Sequence, residues 1–335
     1  MTWSFSILRV SAALGVLTLA ACLRPAQAPP RDADASPLGA SPAPADNPQT
    51  PAKIALGAQL FYDARLSSTG AMSCEGCHYR ALGWTDTLRL STRATGVVNT
   101  RHTPTLYNTG HQTAWYWDGR ATTLEGQITA AWKSQLGANT ERVAAAVNAV
   151  PAYRTQFTAV FGDTATEARI AQALAAYVRT LNSGPSPWDR FQAGDRRALS
   201  ADAQAGWKLF IGKAGCASCH VPPRFADGLY HNIGLEAGKP TPDRGRAIVT
   251  KEPRDERAFK TPTLRSVGVS KPYFHDGSAA TLEAAVRYMA SGGGNDSTKS
   301  PLLVDRKLTD AEVSQLVAFL QALTSTEPAP RARVP

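Results

Sequence analysis

The chain of 335 residues contains a five-residue pattern, Cys-x-x-Cys-His, at residues 74–78 and again at residues 216–220. Two thiols at this spacing can add across the two vinyl groups of one porphyrin, and the following histidine can bind its iron. The pattern therefore predicts two covalently bound haem c groups. The predicted attachment residues are Cys74, Cys77, Cys216 and Cys219, and the predicted axial iron ligands are His78 and His220. A zinc site or a redox dithiol would use similar residues, but every cysteine except Cys22 falls in these two patterns.

Methionine is the natural candidate for a sixth iron ligand, because its thioether stabilises ferrous iron and raises the reduction potential. Apart from the initiator, the chain has only Met72, two residues before a haem cysteine, and Met289. We expect Met289 to bind the second iron. A core methionine is the alternative reading, and the neighbouring Tyr288 is a competing ligand.

An internal repeat relates the two halves of the chain. Thr-Pro-Thr-Leu occurs at residues 103–106 and, 158 residues later, at residues 261–264. The same spacing relates Asp118-Gly119 to Asp276-Gly277. The repeat predicts a mainly α fold of two tandem cytochrome c-like haem domains related by internal duplication.

The repeat also predicts that the two irons differ. The residue 158 positions before Met289 is Ala131. A methyl side chain cannot reach iron, so the first haem is expected to keep one axial position open for a small ligand.

The elements that must position these residues are helical by their apolar spacing of three and four. Helices are expected over residues 53–63, 122–133, 166–181, 200–213, 281–290 and 309–323. Capping-box patterns mark three helix starts, at Thr122, Thr164 and Thr309. The turn-rich segment 182–187 predicts the boundary between the domains there or slightly later.

The first 21 residues carry one early positive charge and an apolar run, which is typical of a secretion signal. The sequence before Cys22 is similar to the lipobox of bacterial lipoproteins, so Cys22 is the predicted lipidation site. Cleavage by an ordinary signal peptidase, with Cys22 left free, is the alternative. The predicted organisation is a signal peptide (1–21), a lipidated N-terminus with a Pro/Ala-rich linker (22–52), two haem domains (53–190 and 191–324) and a tail (325–335).

Export predicts a periplasmic protein held at a membrane only through its N-terminal lipid anchor. The net charge of +9 favours acidic partners. Nucleic acid is not expected as a partner, because no basic run or base-stacking motif accompanies the charge. A homodimer is left open by the sequence.

These motifs resemble the bacterial di-haem cytochrome c peroxidase family, which includes the enzyme that matures methylamine dehydrogenase by oxidising tryptophans of its substrate protein. The resemblance covers nearly all of residues 53–324. It implies a peroxidatic first haem and a second haem that accepts electrons from a small donor protein. Met289 occupies the position where the peroxidases have methionine and the methylamine-pathway enzyme has tyrosine, which favours the peroxidase branch.

The resemblance also implies roles for three catalytic residues. Trp117 matches the tryptophan between the haems, and Gln127 matches a glutamine of the distal pocket. With a short deletion, Gln135 falls where the family has a glutamate, and an amide is a poor proton shuttle. Lys133, Glu125 or a chain of waters are the open alternatives for proton transfer, and a loop that merely shields a less reactive haem is the other reading.

The remaining histidines have less specific expectations. His102 stands where classical peroxidases have an asparagine that helps to hold calcium, and imidazole is a poor calcium ligand. Calcium bound through backbone oxygens near Ser270 and Pro272 is left open. His102 or His111 is either a removable ligand of the first iron or a loop histidine hydrogen-bonded to backbone. The other two, His231 and His275, are assigned to packing or to haem-propionate contacts.

The main functional hypothesis is a peroxidase that reduces hydrogen peroxide to water with electrons from a small cytochrome c or a cupredoxin. One alternative is an oxidant that modifies a partner protein, as the methylamine-pathway enzyme does. The other is a di-haem relay that transfers electrons without turnover. The missing distal glutamate is the best support for the relay.

Overall fold

The structure is a computed structural model that describes residues 1–2 and 37–325. Cys22 and almost all of the expected signal lie outside the described residues, as does the tail from residue 326 onward. Both sets of haem-attachment residues belong to one compact unit, which spans residues 33–335. Within the described ranges, no helix is long and apolar enough to span a membrane.

The described part of the chain is mainly helical, as predicted. Its α-helices are α1 (Pro51–Phe61), α2 (Leu124–Gln135), α3 (Thr140–Ala149), α4 (Pro151–Phe161), α5 (Glu167–Val178), α6 (Pro187–Gln192), α7 (Ala201–Ile211), α8 (Ala247–Thr250), α9 (Leu282–Ala290) and α10 (Asp310–Gln321). Two short antiparallel strands, β1 (Tyr230–His231) and β2 (Phe259–Lys260), complete the regular structure. The six predicted helices are all present, with ends that differ by at most three residues. Helices α3, α4, α6 and α8 were not predicted.

The first hydrophobic core forms where α1 crosses α5. Leu56, Leu60 and Phe61 of α1 are almost fully buried there. Gly57 lies at the crossing, where a Cβ atom would collide with the backbone carbonyl of Ala173. Glycine at this position therefore lets the two helix backbones approach closely.

The second core repeats this arrangement with α7 crossing α10. Gly206 lies at the crossing, where a Cβ atom would meet the carbonyl of Gln315. Phe210, Phe225 and Phe319 pack against one another with ring centroids 5.1–6.2 Å apart. Each half thus buries its own apolar cluster.

Loop contacts also recur between the halves. Asn108 donates its backbone N–H to the Leu181 carbonyl at 2.9 Å, and Ser266, 158 residues later, donates to the Leu323 carbonyl at 3.0 Å. Both donors have a left-handed backbone, with φ of 60° and 58°. Each begins a single 3₁₀ turn, Thr109–His111 in one half and Val267–Val269 in the other.

The structure adds three details to the predicted organisation. A linker was expected to extend to residue 52, but two of its residues contact the first half of the chain. Ser41 donates to Asn182 Oδ1, and buried Asn47 donates to Glu125 Oε1. In the described residues 37–52, these polar side chains therefore have partners in the first half of the chain. The boundary at residue 190 falls inside α6, since the cores change over between Leu181 and Trp188.

The third detail concerns the helix starts. The capping box at Thr309 is confirmed, with Glu312 as its partner. The other two helices begin one and two residues later than expected, with Thr123 and Thr166 as their N-caps. Several threonines close together leave the choice of cap to the packing of the helix.

We expect the substitution Gly57→Ala to destabilise the first core by about 1–3 kcal/mol, because the new methyl group must push α1 away from α5. Urea unfolding of the protein with its haems bound measures the change in free energy. Gly126→Ala is the matched control, since a Cβ there meets only the Thr123 hydroxyl. Equal stability of the Gly57 variant and the wild type would mean that the helix crossing tolerates a side chain.

Candidate di-haem site

The two Cys-x-x-Cys-His segments have the same backbone conformation. Each forms one 3₁₀ turn, Cys74–Gly76 in the first half and Cys216–Ser218 in the second. The backbone N–H of each histidine then donates to the carbonyl of the first cysteine, at 3.1 Å and 2.9 Å. Two separated stretches of the chain therefore present two thiols and an imidazole in the same way.

Both predicted axial histidines are held in the tautomer that an iron ligand needs. His78 Nδ1 lies 2.8 Å from the Trp84 carbonyl oxygen, and His220 Nδ1 lies 3.0 Å from the Phe225 carbonyl oxygen. A carbonyl only accepts, so Nδ1 carries the proton and the lone pair of Nε2 is left for a metal. Burial lowers the pKa of both imidazoles, which keeps them neutral near pH 7.

A cavity in the second half brings together the residues expected around the second haem. Cys216, Cys219, His220 and Met289 all line it. Its described lining is mostly apolar and includes no Asp or Glu side chain. The residues therefore fit a haem, which is an apolar ring with two carboxylate groups.

The structure distinguishes Met289 from its competitor. The Tyr288 hydroxyl donates to the Ile233 carbonyl at 2.9 Å and accepts from the Gly294 N–H at 2.9 Å. Its phenol is thus engaged in holding a loop. Met289 lines the cavity and is the better candidate for the sixth ligand.

Ala131 occupies the equivalent position in the first half. It lies seven residues after the first residue of α2, as Met289 does in α9. Both helices begin at an N-cap threonine whose side chain accepts a backbone N–H. The helix register therefore agrees with the sequence repeat.

Gln127 and Gln135 lie on α2, both partly buried. Gln127 accepts a hydrogen bond from the Tyr116 hydroxyl at its backbone carbonyl, 3.3 Å away. Gln135 Oε1 accepts from Asn99 Nδ2 at 2.8 Å, and Asn99 Oδ1 accepts from Arg93 Nε at 2.8 Å. With its oxygen held by Asn99, the side chain of Gln135 can present its NH₂ group as a donor. No motif marks Asn99 in the sequence, so this support is visible only in three dimensions.

Trp117 lies where the two halves meet. Its indole Nε1–H donates to the His102 carbonyl at 2.9 Å, and its ring lies edge to face with His275 at 6.5 Å. Its own carbonyl accepts from the Lys260 N–H at 2.8 Å. Trp117 also lines the cavity of the second half.

The structure favours the loop-histidine reading of His102. Its ring is buried, with Nδ1 3.0 Å from the Leu88 carbonyl and Nε2 3.3 Å from Thr85 Oγ1. Both nitrogens are engaged, so neither is available to iron. His111 differs, because its buried Nε2 has no partner among the described residues.

The other two histidines have carboxylate partners that the sequence did not reveal. His231 Nε2 lies 2.8 Å from Asp227 Oδ2, and His275 Nε2 lies 2.7 Å from Glu236 Oε1. Ligand atoms of Cys219, Asp227 and His231 lie within 4.8 Å of one another. A thioether link to haem would remove the Cys219 thiolate from that set, so we assign no separate metal site there.

A buried ionic network joins the two halves beside Trp117. Arg101 pairs with Asp118 at 2.7 Å and with Asp243 at 2.6 Å. Burial alone would raise the pKa of Asp118, but the hydrogen bonds and charges of Arg101 and Arg120 lower it below its usual range. Asp118 follows Trp117 directly, so the network also fixes the backbone of the tryptophan.

Known proteins are similar to this chain over most of its length. A family model described as di-haem cytochrome c peroxidase matches residues 51–197. The cytochrome-c peroxidase IdrP1 of Denitromonas iodatirespirans is 38% identical, and the alignment covers 93% of each chain. The chain belongs to the di-haem cytochrome c peroxidase family.

Two further members of this family and fold are informative. The methylamine utilization protein MauG of Methylorubrum extorquens is 41% identical, with 86% of this chain and 82% of the relative covered. The crystal structure of a MauG-like protein associated with microbial copper homeostasis superposes with a TM-score of 0.79 at 30% identity, covering 85% of this chain and 93% of that one. The predicted family is confirmed, and the family implies haem cofactors.

We expect Glu236→Gln to lower stability at neutral pH by about 3 kcal/mol, because it removes the anion beside buried His275. Burial alone would raise the pKa of Glu236, but hydrogen bonds from His275, Lys239 and the Asp243 N–H lower it to about 2. The stabilisation is therefore present above the ordinary glutamate pKa, near 4.5, and is lost as the pH falls towards 2.

Urea titrations of the wild type and the variant between pH 7 and pH 3 measure this difference. Glu283→Gln is the control, because its pair with Arg287 is exposed and should contribute less than about 1 kcal/mol. If the difference in free energy of unfolding between Glu236→Gln and the wild type stays constant over this pH range, the assignment is wrong.

Proposed function

We propose that this chain is a peroxidase that reduces hydrogen peroxide to water at the haem carried by His78. Electrons reach that haem from the one carried by His220 and Met289. The observation that carries the proposal is the difference between two equivalent helix positions, occupied by Met289 in α9 and Ala131 in α2. An iron capped by a thioether transfers electrons, whereas an iron without a sixth protein ligand can bind peroxide.

Reduction of one peroxide to two waters consumes two electrons and two protons. Haem iron supplies the centre at which the O–O bond is broken and the electrons are delivered. The protein must keep one axial position accessible, hold peroxide beside it and deliver protons. Helix α2 carries the residues that we assign to holding peroxide.

Gln127 and Gln135 are the proposed orienting residues. An amide neither takes up nor releases a proton near neutral pH, so Gln135 serves as a hydrogen-bond donor rather than a general acid. The contact from Asn99 leaves its NH₂ group for the ligand. Lys133 is not assigned to proton transfer, because its ammonium is exposed and paired with Glu167 at 2.8 Å. Glu125 is not assigned either, because Arg179 binds its carboxylate at 2.6 Å.

Trp117 is the proposed route for electrons between the two halves. It contacts His102 in the first half and His275 in the second, and it lines the cavity assigned to the second haem. Hydrogen bonding and the adjacent Arg101 network hold its position, which favours a defined electron path over a mobile one.

The domain assignment also belongs to this proposal. Two separate hydrophobic clusters, equivalent helix crossings at Gly57 and Gly206 and repeated loop contacts support an origin by duplication of one haem domain. We propose that both haems are attached covalently through the four cysteines. Calcium bound through backbone oxygens near Ser270 and Pro272 stays a prediction, because the hydrogen bonds of the His102 ring do not bear on it.

The proposed location is the periplasm, with Cys22 as a lipid anchor and a small cytochrome c or cupredoxin as donor. The apolar run before Cys22 and the net charge of +9 support these assignments. The surface charge favours an acidic donor.

Oxidation of a partner protein is the second candidate, and the similarity to MauG supports it. The sixth-ligand position argues against it, because the cavity holds Met289 while the hydroxyl of Tyr288 bonds to Ile233 and Gly294.

Spectroscopy and turnover test the proposal directly. The purified ferric protein should show a high-spin component that responds to hydrogen peroxide, and the reduced protein should oxidise a reduced donor cytochrome when peroxide is added. Two low-spin haems that ignore peroxide in both redox states would leave only the electron-relay function.

We expect Met289→Ala to abolish the low-spin signature of one haem and to lower its reduction potential, since a thioether favours ferrous iron. Absorption spectra and a redox titration measure both effects. Met72→Ala is the matched control, because Met72 packs beside Gly76 on the first half and should leave the second haem unchanged. An unaltered spectrum and potential in the Met289 variant would exclude it as a ligand.

We expect Gln135→Glu to raise the rate constant for reaction with peroxide by at least about tenfold, because a carboxylate can shuttle the proton that an amide cannot. Stopped-flow absorption after mixing with peroxide gives this rate constant. Ser134→Glu adds the same charge at an exposed neighbouring position and should not change it. If both variants react at the wild-type rate, Gln135 does not lie near the bound peroxide.

A further inference from the structure

Lys260 is a partly buried residue on the wall of the cavity in the second half. It ends strand β2, and its Nζ donates to the Gln112 side-chain oxygen and, at 2.6 Å, to the Ala114 carbonyl. Both partners are neutral and both belong to the first half of the chain. Burial lowers the pKa of the ammonium to about 7. Keeping the ammonium charged at this site therefore costs free energy unless an anion lies nearby.

The described residues do not provide that anion. Asp118 is the carboxylate whose charge reaches Lys260, but Arg101 and Arg120 already bind it at 2.7 Å and 2.8 Å. The guanidinium of Arg224 adds repulsion. Lys260 forms no ion pair with any residue in the described ranges.

The cavity itself indicates what the anion is. Its described lining has no carboxylate side chain, and its lysine and arginine side chains are Lys260 and Arg306. Arg306 lies against Gly215, next to the attachment residue Cys216. In a haem the vinyl groups and the propionates lie on different edges of the ring, so Arg306 is near the edge that is attached. Of these two side chains, Lys260 is the one left for the propionate edge.

We propose that Lys260 pairs with a propionate of the haem attached at Cys216 and Cys219, and that its charge raises the reduction potential of that haem. A nearby positive charge disfavours the extra positive charge of ferric iron and so favours the ferrous form. Lys260 is a positioning and tuning residue, because it acts through the propionate rather than on peroxide. The inference rests on the presence of the second haem in the proposed function, but not on peroxide turnover.

The test is a spectroelectrochemical titration of the two haems in the full protein. Lys260→Met should lower the potential of the low-spin haem enough to change its redox equilibrium by about tenfold, or about 59 mV for a one-electron couple. Lys260→Arg keeps the charge and should keep the potential close to that of the wild type. Lys251→Met removes an exposed charge of the same kind and should change nothing.

Lys260 also bridges the two halves through Gln112 and Ala114, so a structural effect must be separated from an electrostatic one. Lys260→Gln loses the charge but can still donate to the Ala114 carbonyl. The potential is measured on this variant if the Met variant does not fold. Two results would overturn the proposal. One is a wild-type reduction potential in a folded Met or Gln variant with both haems bound. The other is a reduction potential that falls as far in the Arg variant as in the Met variant. Loss of stability alone would then leave Lys260 as a clamp. If the protein shows no peroxide turnover but the potential of the second haem still follows the charge at residue 260, the peroxidase function is wrong and this inference stands.

Discussion

The proposed function depends on how the imidazoles of His78 and His220 are oriented. A histidine binds iron through one nitrogen only if the other carries the proton, and a backbone carbonyl is the simplest group that enforces this choice. The Trp84 and Phe225 carbonyls provide it for His78 and His220. Trp84 and Phe225 are buried in the two hydrophobic cores, so each core holds in place the carbonyl that orients its histidine.

The contacts of His78 and His220 are equivalent in the two halves, so in the proposed function the difference in chemistry comes from the opposite face of each haem. The helices that provide this face, α2 and α9, begin with the same cap and present Ala131 and Met289 at the same position. In this proposal a single side chain separates a site that can bind peroxide from one that can only transfer electrons. Because the scaffold is shared, this difference does not require a different fold.

The two proposed sites act together only if electrons can pass between them. The contacts between the two halves hold Trp117 in a position suited to this role. Arg101 ties Asp118 of one half to Asp243 of the other, and Trp117 lies beside this network. Buried ion pairs add little net stability, but they fix one arrangement of the groups that they join. We infer that the network serves mainly to hold the tryptophan in a fixed position between the two halves.

Much of this could be predicted from the sequence, because the relevant signals are local. The haem attachment residues follow from a five-residue spacing, the helices follow from apolar periodicity, and the unlike partners Met289 and Ala131 follow from a repeat. What the sequence could not provide were contacts between distant segments, each of which depends on the way the two halves pack. Three contacts are of this kind: the pair of His275 with Glu236, the hydrogen bond from Asn99 to Gln135, and the hydrogen bond from the Lys260 ammonium to Gln112. The spacing of residues along the sequence determined which chemical groups this protein can use. Tertiary packing decided which of them are buried, which are paired and how they are oriented. The reason is that the energy of a charge or a hydrogen bond depends on neighbours that the order of the chain does not reveal.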